Sequence, residues 1–166
     1  MNKKIYLAGG CYWGTEHFLK LVDGVLETTV GFAQGHKENP TYAEVRQLTT
    51  GHTETVETIY DADKVGLEKL LNLFFHTIDP TALNHQGEDE GENYRTGIYF
   101  VDSEDESVIR NCLSELQKQY DEPIVVEVEP LRCFYPAHEE HQDYLEKNPQ
   151  GYCHISPDLF ELARRK

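Results

Sequence analysis

The sequence predicts an α+β protein: a two-layer sandwich with helices on one face of a mixed sheet, built on a split βαβ core with added C-terminal elements. Three observations lead there. Residues 53–60 alternate, with Glu54, Val56, Thr58 and Tyr60 on one side and Thr53, Thr55, Glu57 and Ile59 on the other, the two-residue period of a strand. Leu67, Leu70, Leu71, Phe74, Phe75 and Ile78 recur instead at the spacing of a helix buried along one stripe. Through residue 101 such segments follow in the order strand, helix, strand, strand, helix, strand.

Each element has a local reason. Residues 3–8 read as a strand that stops at Gly9-Gly10, and a helix carrying Phe18, Leu19 and Val22 follows from about Trp13, which leaves Cys11 on the turn between them. Residues 25–32 form a second strand, closed by an irregular segment over 33–40. Thr41 and Glu44 have capping-box spacing and open a short helix. Asp63 is the expected cap of the core helix that begins at Leu67. Residues 79–93 make a polar loop long enough for function to explain its length. A strand over 96–101 precedes a second capping box, Ser103 to Glu106, and a helix with the apolar stripe Val108, Ile109, Cys112, Leu113 and Leu116. Residues 124–128 add a strand and 137–145 a last short helix, after which 146–166 reads as a C-terminal loop or tail carrying Cys153. The order is that of a ferredoxin-like sandwich.

The 166 residues suit one catalytic domain spanning 1–166. Thirty acidic against fifteen basic side chains leave a net charge of −15, which repels nucleic acid and anionic lipid. Apolar residues at 39% and aromatics at 11%, with the patterning above, argue for a folded chain in spite of that charge. No apolar stretch approaches the roughly 18 residues that span a bilayer. Met1 to Leu7 leads into a strand rather than a signal sequence, so a cytoplasmic location is expected. The four cysteines, Cys11, Cys112, Cys133 and Cys153, contain no C-x-x-C pair and read as catalytic or buried thiols rather than a disulfide scaffold.

Cys11 is the first candidate for chemistry. A strand-to-helix turn aims backbone N–H groups and the positive end of the helix dipole at a thiolate, and the flanking glycines permit close approach of a ligand. The same position also suits a small buried hydrophobe. Tyr12 and Trp13, the only tryptophan, could wall an apolar pocket or simply pack. Glu54 stands on the apolar side of its strand, where desolvation would keep the carboxyl protonated as a general acid; the alternative is a surface carboxylate at a sheet edge. His52-Thr53-Glu54 matches half of a zinc-deaminase signature whose P-C-x-x-C half is missing. His138 and His141 could hold a metal on one helix face, yet both zincin orders are absent, and a solvated polar face is the better reading. Acidic residues in the 79–93 loop are too irregularly spaced for a calcium loop. No metal is expected. Cys112 reads as packing, Cys133 is undecided between structure and chemistry with structure favoured, and Cys153 is either a mobile thiol able to reach a second sulfur or a spare one.

Several of these residues fall in linked motifs. Gly10-Cys11-Tyr12-Trp13-Gly14-Thr15-Glu16 resembles the G-C-F-W-G-x-E signature of A-type peptide methionine sulfoxide reductases. Pro40-Thr41-Tyr42-x-x-Val45, Gly51-His52-x-Glu54, and Asp79-Pro80 to Gln86-Gly87-x-Asp89-x-Gly91-x-x-Tyr94-Arg95 resemble the blocks that follow, in the family's order. His141-Gln142-x-Tyr144-Leu145 and Asn148-Pro149-x-Gly151-Tyr152-Cys153 resemble its C-terminal block.

The resemblance implies Cys11 as the nucleophile that takes oxygen from methionine sulfoxide, and Glu54 as the acid that protonates it. It implies Tyr42 and Tyr94 as phenols on the sulfoxide oxygen, Asp89 as a carboxylate orienting the substrate backbone, and Tyr12 with Trp13 around the methyl group. Cys153 matches a recycling cysteine that would form a disulfide with Cys11 for thioredoxin to reduce. The S epimer, free or in proteins, is the implied substrate, with no bound cofactor. Tyr12 stands where Phe is usual, and Phe32-Ala33-Gln34-Gly35 replaces the common G-Y-x-G-G run after Gly31. Two other readings remain at this stage: a cysteine hydrolase pairing Cys11 with His52 or His85, and an acidic binding module in which Cys11 only packs.

Overall fold

The computed structural model describes residues 1–48, 50–86, 89–151, 153, 155 and 157–165. Gly87 and Tyr152 of the motifs above, and Glu88 of the acidic loop, lie outside the described residues. Among the described residues, eight strands and six α-helices follow in the order β1 (Asn2–Ala8), α1 (Tyr12–Lys20), β2 (Val25–Ala33), α2 (Tyr42–Arg46), β3 (Thr53–Asp61), α3 (Leu67–Phe75), β4 (His85–Gln86), β5 (Asp89–Glu90), β6 (Gly97–Phe100), α4 (Asp105–Gln117), β7 (Glu127–Pro130), β8 (Phe134–Pro136), α5 (Tyr144–Lys147) and α6 (Pro157–Arg165). Six strands form one sheet in the order β7-β6-β1-β3-β2-β8, mixed as expected: β6 and β7 run parallel and every other neighbouring pair is antiparallel. β4 and β5 pair separately within the 79–93 loop.

Strand alternation divides the interior. Ile5 and Leu7 of β1, Val30 and Phe32 of β2, Val56 and Tyr60 of β3 and Ile98 of β6 are buried with Phe18 and Leu19 of α1, Leu70, Leu71 and Phe74 of α3, and Ile109 and Cys112 of α4. Full burial of each large apolar side chain stabilises by about 1.5–3 kcal/mol, so this face supplies most of the folding drive. On the opposite face a smaller cluster joins Tyr6, Ala8, Ala33 and Tyr99, with Leu131 and Phe134 packed on it.

Several local expectations give way to tertiary pairing. Asp63 does not cap α3; the cap is Gly66, without a side-chain bond. Because β1 pairs Asn2 with Asp61, the chain's amino group lies beside Asp63 and takes its carboxylate at 2.7 Å. The box at Ser103 does not form either. The backbone carbonyls of Asp102 and Ser103 take the N–H groups of Asp105 and Glu106, and the Asp105 carboxylate turns inward to Lys3 Nζ at 2.6 Å. The box at Thr41 is complete, with Glu44 N–H on Thr41 Oγ1 and Thr41 N–H on Glu44 Oε1.

β7 starts at Glu127 rather than 124, since its register is set by pairing Gly97 to Phe100 with Glu127 to Pro130. No continuous helix spans 137–145. Ala137 N–H and the Gln142 side chain are drawn to β2, where Gln142 accepts from Val30 N–H at 2.8 Å and donates to Val30 O at 2.9 Å. A 3-10 turn at Glu139–His141 and a left-handed Asp143, φ 55°, precede α5. The expected C-terminal tail contains a helix: α6 packs through the fully buried Ala163 and sets Phe160 edge-on to His17 of α1, with ring centroids 4.7 Å apart. β2 carries a bulge between Val25 and Glu27.

The turn from β1 into α1 is pressed onto α3. Gly10 has φ +89°, which favours glycine, and a Cβ on Gly9 would lie 2.8 Å from a Phe74 ring carbon and 3.0 Å from an Ile78 methyl. Phe74 is fully buried and has no room to retreat. Gly9→Ala is therefore expected to destabilise the fold by about 1–3 kcal/mol, read as a lower urea midpoint with an unchanged slope.

Candidate active site

Cys11 occupies the N-cap of α1 and is 4% exposed. On β3, the immediate neighbour of β1, Glu54 sits near the strand's start, paired with Phe32, on the face it shares with Val56 and Tyr60. It is 1% exposed, so the edge-of-sheet alternative is excluded. The two residues meet: Tyr12 N–H, the first after Cys11, donates to Glu54 Oε1 at 3.2 Å. The other oxygen, Oε2, is buried with no hydrogen-bond partner among the described residues.

Burial pushes the Glu54 carboxyl up to about 8, against the opposing pull of the Tyr12 N–H and with a smaller push from the charge of Asp89. At neutral pH it is a proton donor. Burial also raises the Cys11 thiol well above its ordinary value, and a Glu54 carboxylate raises it further. The helix start supplies one opposing contact, the Trp13 backbone N–H, which is outweighed. Helix-dipole activation of the resting thiol, an attraction of the turn position, is thus overridden by desolvation. Protonating Glu54 removes its share of that penalty, so a neutral Glu54 and an ionised Cys11 favour each other.

Tyr12, Tyr42 and Tyr94 surround the pair. Burial, then the charge of Glu54, raises the phenols of Tyr42 and Tyr94, which remain neutral hydroxyl donors. The charge of Asp89 acts on Cys11, Glu54, Tyr42 and Tyr94 alike, which puts it in the same cluster. Tyr12 is 1% exposed against Phe32, and its hydroxyl has no partner among the described residues. Trp13 stacks on Tyr144 with ring centroids 3.9 Å apart and an 11° interplanar angle. Of the eight residues singled out from the sequence, Cys11, Tyr12, Tyr42, Glu54, Asp89 and Tyr94 therefore form one electrostatically coupled cluster, beside which Trp13 stacks on Tyr144.

Its supports come from elsewhere in the chain. Arg95 donates to Glu127 Oε1, Glu92 O and Gly51 O, and Thr53 Oγ1 donates to Asn93 O and Arg95 O; together they hold Tyr94. Gln86 bonds both the N–H and the C=O of Asp79, which cinches the 79–93 loop. Glu16, buried in α1, accepts from Thr28 Oγ1 at 2.9 Å and from Asp143 N–H at 2.8 Å. These two contacts and the Gln142 bonds fix the segment before α5. That segment carries His141, whose ring stacks on Tyr42 at 4.4 Å. The solvated helix face expected for His138 and His141 is thus corrected: His138 is exposed, but His141 belongs to the aromatic wall, and only a single 3-10 turn joins them. Among the described residues no group of three metal-ligating side chains forms. Glu16, His141 and Tyr144 stand in the quoted motifs, and His141 was weighed as a metal ligand, but the contacts they make here were not expected, since these depend on α1 meeting a segment more than a hundred residues later.

His52 accepts from Gly35 N–H at Nδ1 and places Nε2 2.8 Å from Lys37 O, so both nitrogens are committed to the 35–37 turn, and His85 is exposed. The hydrolase pairing with Cys11 loses its base. Cys112 lies in the core under α4 and Cys133 donates to Gly35 O at 3.5 Å, as packing roles require. Cys153 is half-buried, accepts from Ile155 N–H at 3.4 Å, and is near enough for its charge to register on Cys11. It lines a groove with His17, Leu145, Pro149, Ile155 and Phe160. All four thiols are free.

A carboxyl whose folded value is raised binds its proton more tightly in the native state, so stability falls as pH climbs from the unfolded value, near 4.5, toward 8. Glu54→Gln, which mimics the protonated acid, is expected to be more stable than wild type at pH 7.5 by on the order of 3 kcal/mol, with the gap closing by pH 5. Urea midpoints across that range test it.

A family model described as peptide methionine sulfoxide reductase matches residues 3–165. A protein of Lachnoclostridium phytofermentans named peptide methionine sulfoxide reductase MsrA is 54% identical over 164 residues, 99% of each chain. Among solved structures, Mxr1 from Saccharomyces cerevisiae in reduced form aligns with a TM-score of 0.89 at 35% identity, covering 93% of this chain and 91% of that one. Mxr1 in complex with Trx2 aligns with a TM-score of 0.62 at 25% identity, over 86% and 84%. With a match from end to end and more than half of the aligned residues identical, the chain belongs to the peptide methionine sulfoxide reductase family.

Proposed function

We propose that this chain reduces methionine S-sulfoxide, free or within proteins, through Cys11 and Glu54, and is recycled by thioredoxin through Cys153. The observation that carries the reading is the hydrogen bond between Tyr12 N–H and Glu54 Oε1, which joins a nucleophile-bearing turn to a carboxyl held neutral in an apolar wall. A sulfoxide needs both: its sulfur becomes electrophilic only as its oxygen gains a proton. Cys11 Sγ attacks that sulfur while Glu54 protonates the oxygen. The oxygen passes to Cys11 as a sulfenic acid, the thioether leaves as methionine, and the thiol proton restores Glu54.

Tyr42 and Tyr94 donate to the sulfoxide oxygen, Asp89 orients the substrate backbone, and Tyr12 and Trp13 enclose the methyl group. In the next step the Cys153 thiol attacks the sulfenic sulfur, water leaves, and a Cys11–Cys153 disulfide forms. A dithiol of the thioredoxin type then returns both cysteines to thiols. The Mxr1–Trx2 complex supports that partner. Both electrons come from thiols throughout, so the cycle needs no bound cofactor.

The strand order β6-β1-β3-β2, with α1 and α3 as the crossing helices, supports the ferredoxin-like description within a single catalytic domain over 1–166. Among the described residues no helix is long and apolar enough to cross a membrane, and a thiol cycle of this kind suits the reducing cytoplasm.

Cys11→Ser is expected to abolish reduction of S-sulfoxide. Cys153→Ser should still release one equivalent of methionine per chain and then stop, with thioredoxin unable to restart it. Multiple turnovers with thioredoxin in that variant would assign recycling to another thiol. With Glu54 as donor, turnover should decline about tenfold per pH unit above about 8, and Glu54→Gln should lower it at least about a hundredfold and remove that limb.

A further inference from the structure

We propose that Arg46 is a specificity-determining residue of the site, its guanidinium placed to take a carboxylate carried by the substrate, either the α-carboxylate of free methionine S-sulfoxide or an acidic side chain beside the oxidised residue in a peptide. This rests on the reading of Tyr42 and Asp89 as substrate-binding groups. The guanidinium lies over the Tyr42 ring, 5.8 Å from its centroid. The Tyr42 ring stands in turn 6.3 Å from that of Tyr12, the residue after Cys11. Arg46 is exposed, and among the described residues its guanidinium enters no hydrogen bond or ion pair, so its N–H fork is open to a ligand.

The placement is anchored. Arg46 ends α2, whose start is closed by the box of Thr41 and Glu44 and whose Val45 is buried in the core. Leu48, with φ +62°, brings the chain against the loop that bears Asp89 and Tyr94: a Cβ on Gly91 would lie 3.2 Å from Leu48 Cδ2. The end of α2 and that loop therefore abut at one rim of the site. Opposite charges from the two segments act on the same groups, since Asp89 raises and Arg46 lowers both Tyr42 and Glu54. A free amino acid, with its ammonium toward Asp89 and its carboxylate toward Arg46, matches that pair. The surroundings make the cation matter: a chain of net charge −15 repels an anionic substrate, and a guanidinium held at the rim offsets the repulsion where the substrate binds.

A contact remote from the reacting sulfur acts alike on bound substrate and transition state, so its loss should appear in KM rather than kcat. N-acetylmethionine S-sulfoxide carries the carboxylate, and its methylamide carries no charge. Arg46→Gln is expected to raise KM for the acid about three- to tenfold with kcat within about twofold, and to move KM for the methylamide by less than about twofold. Arg46→Lys, which keeps the charge but not the fork, should fall between wild type and Arg46→Gln. Arg110→Gln, which removes an exposed cation on α4, should match wild type. Added salt should raise KM for the acid in wild type and leave both the methylamide and the Arg46→Gln variant unmoved.

A loss confined to the acid and to free methionine S-sulfoxide assigns the α-carboxylate as the ligand. A loss confined to a capped methionine sulfoxide–glutamate peptide, compared with its glutamine counterpart, assigns the neighbouring side chain. Equal KM changes for acid and methylamide would put the effect of Arg46 on Tyr42 or on the fold and overturn the proposal, as would an unchanged KM for every carboxylate substrate. The contact also has a readout without turnover: in Cys11→Ser, the Arg46 Nε–H resonance should shift on titration with N-acetylmethionine S-sulfoxide and stay in place with the methylamide. A resonance moved by neither, or by both alike, overturns the proposal. Absence of reduction of every sulfoxide by wild type would instead count against the proposed function, while that resonance would still decide the contact.

Discussion

A carboxyl group that water cannot reach, tied to the backbone beside a buried thiol, is the constraint on which the rest of the molecule depends. Among the described residues Glu54 forms no ion pair, and the charge of Arg46 opposes the rise of its carboxyl only as a minor influence. Its one described bond is an N–H from Tyr12, and it tolerates burial by keeping its proton. The bond is also a ruler: it fixes the acid relative to the turn that bears Cys11, without occupying the second oxygen. Both ends rest on rigid elements, a strand in the interior of the six-stranded sheet and a helix start pressed on α3.

Around that axis the chain adds three late segments. The 79–95 stretch brings Asp89 and Tyr94, cinched by Gln86 and Arg95. The 137–144 stretch brings His141 and Tyr144 over Trp13, and Cys153 follows on the groove beside α6. The sheet and helices thus supply the buried carboxyl and the buried thiol. Most of what would shape a substrate comes from irregular segments held by side-chain-to-backbone bonds, the usual division between scaffold and recognition.

Legibility in the sequence followed the range of the interactions. Alternation on β3 placed Glu54 inward, and the Gly9-Gly10 stop placed Cys11 on its turn; both are short-range signals and both held. The Thr41 box held for the same reason. Asp63 and Ser103 had equally good local signatures; Asp63 lost to the distant amino group of Met1, while at Ser103 neighbouring carbonyls take the free N–H groups and Asp105 turns to the distant Lys3 side chain. His141 failed differently. Its neighbours His138 and Glu140 are exposed, so a helical reading averaged it into a polar face, and nothing local marks the φ change at Asp143 that turns the chain. For Tyr42, Asp89 and Tyr94 the residues alone offered no reason; the family motifs did, and the electrostatic coupling of all three with Glu54 or Cys11 is consistent with them.

The amide of Gln142 does for Val30 what another strand would do. β8 covers β2 only from Gly31 to Ala33, and beyond it the side chain occupies both hydrogen-bonding groups of the next residue. What is left of that margin is the stretch interrupted by the bulge at Val25/Glu27 and carrying a charged Glu27. A neighbouring molecule seeking to extend the sheet by its own backbone meets a short, kinked and acidic border, so the same residue that steadies the pocket also discourages self-association of the chain.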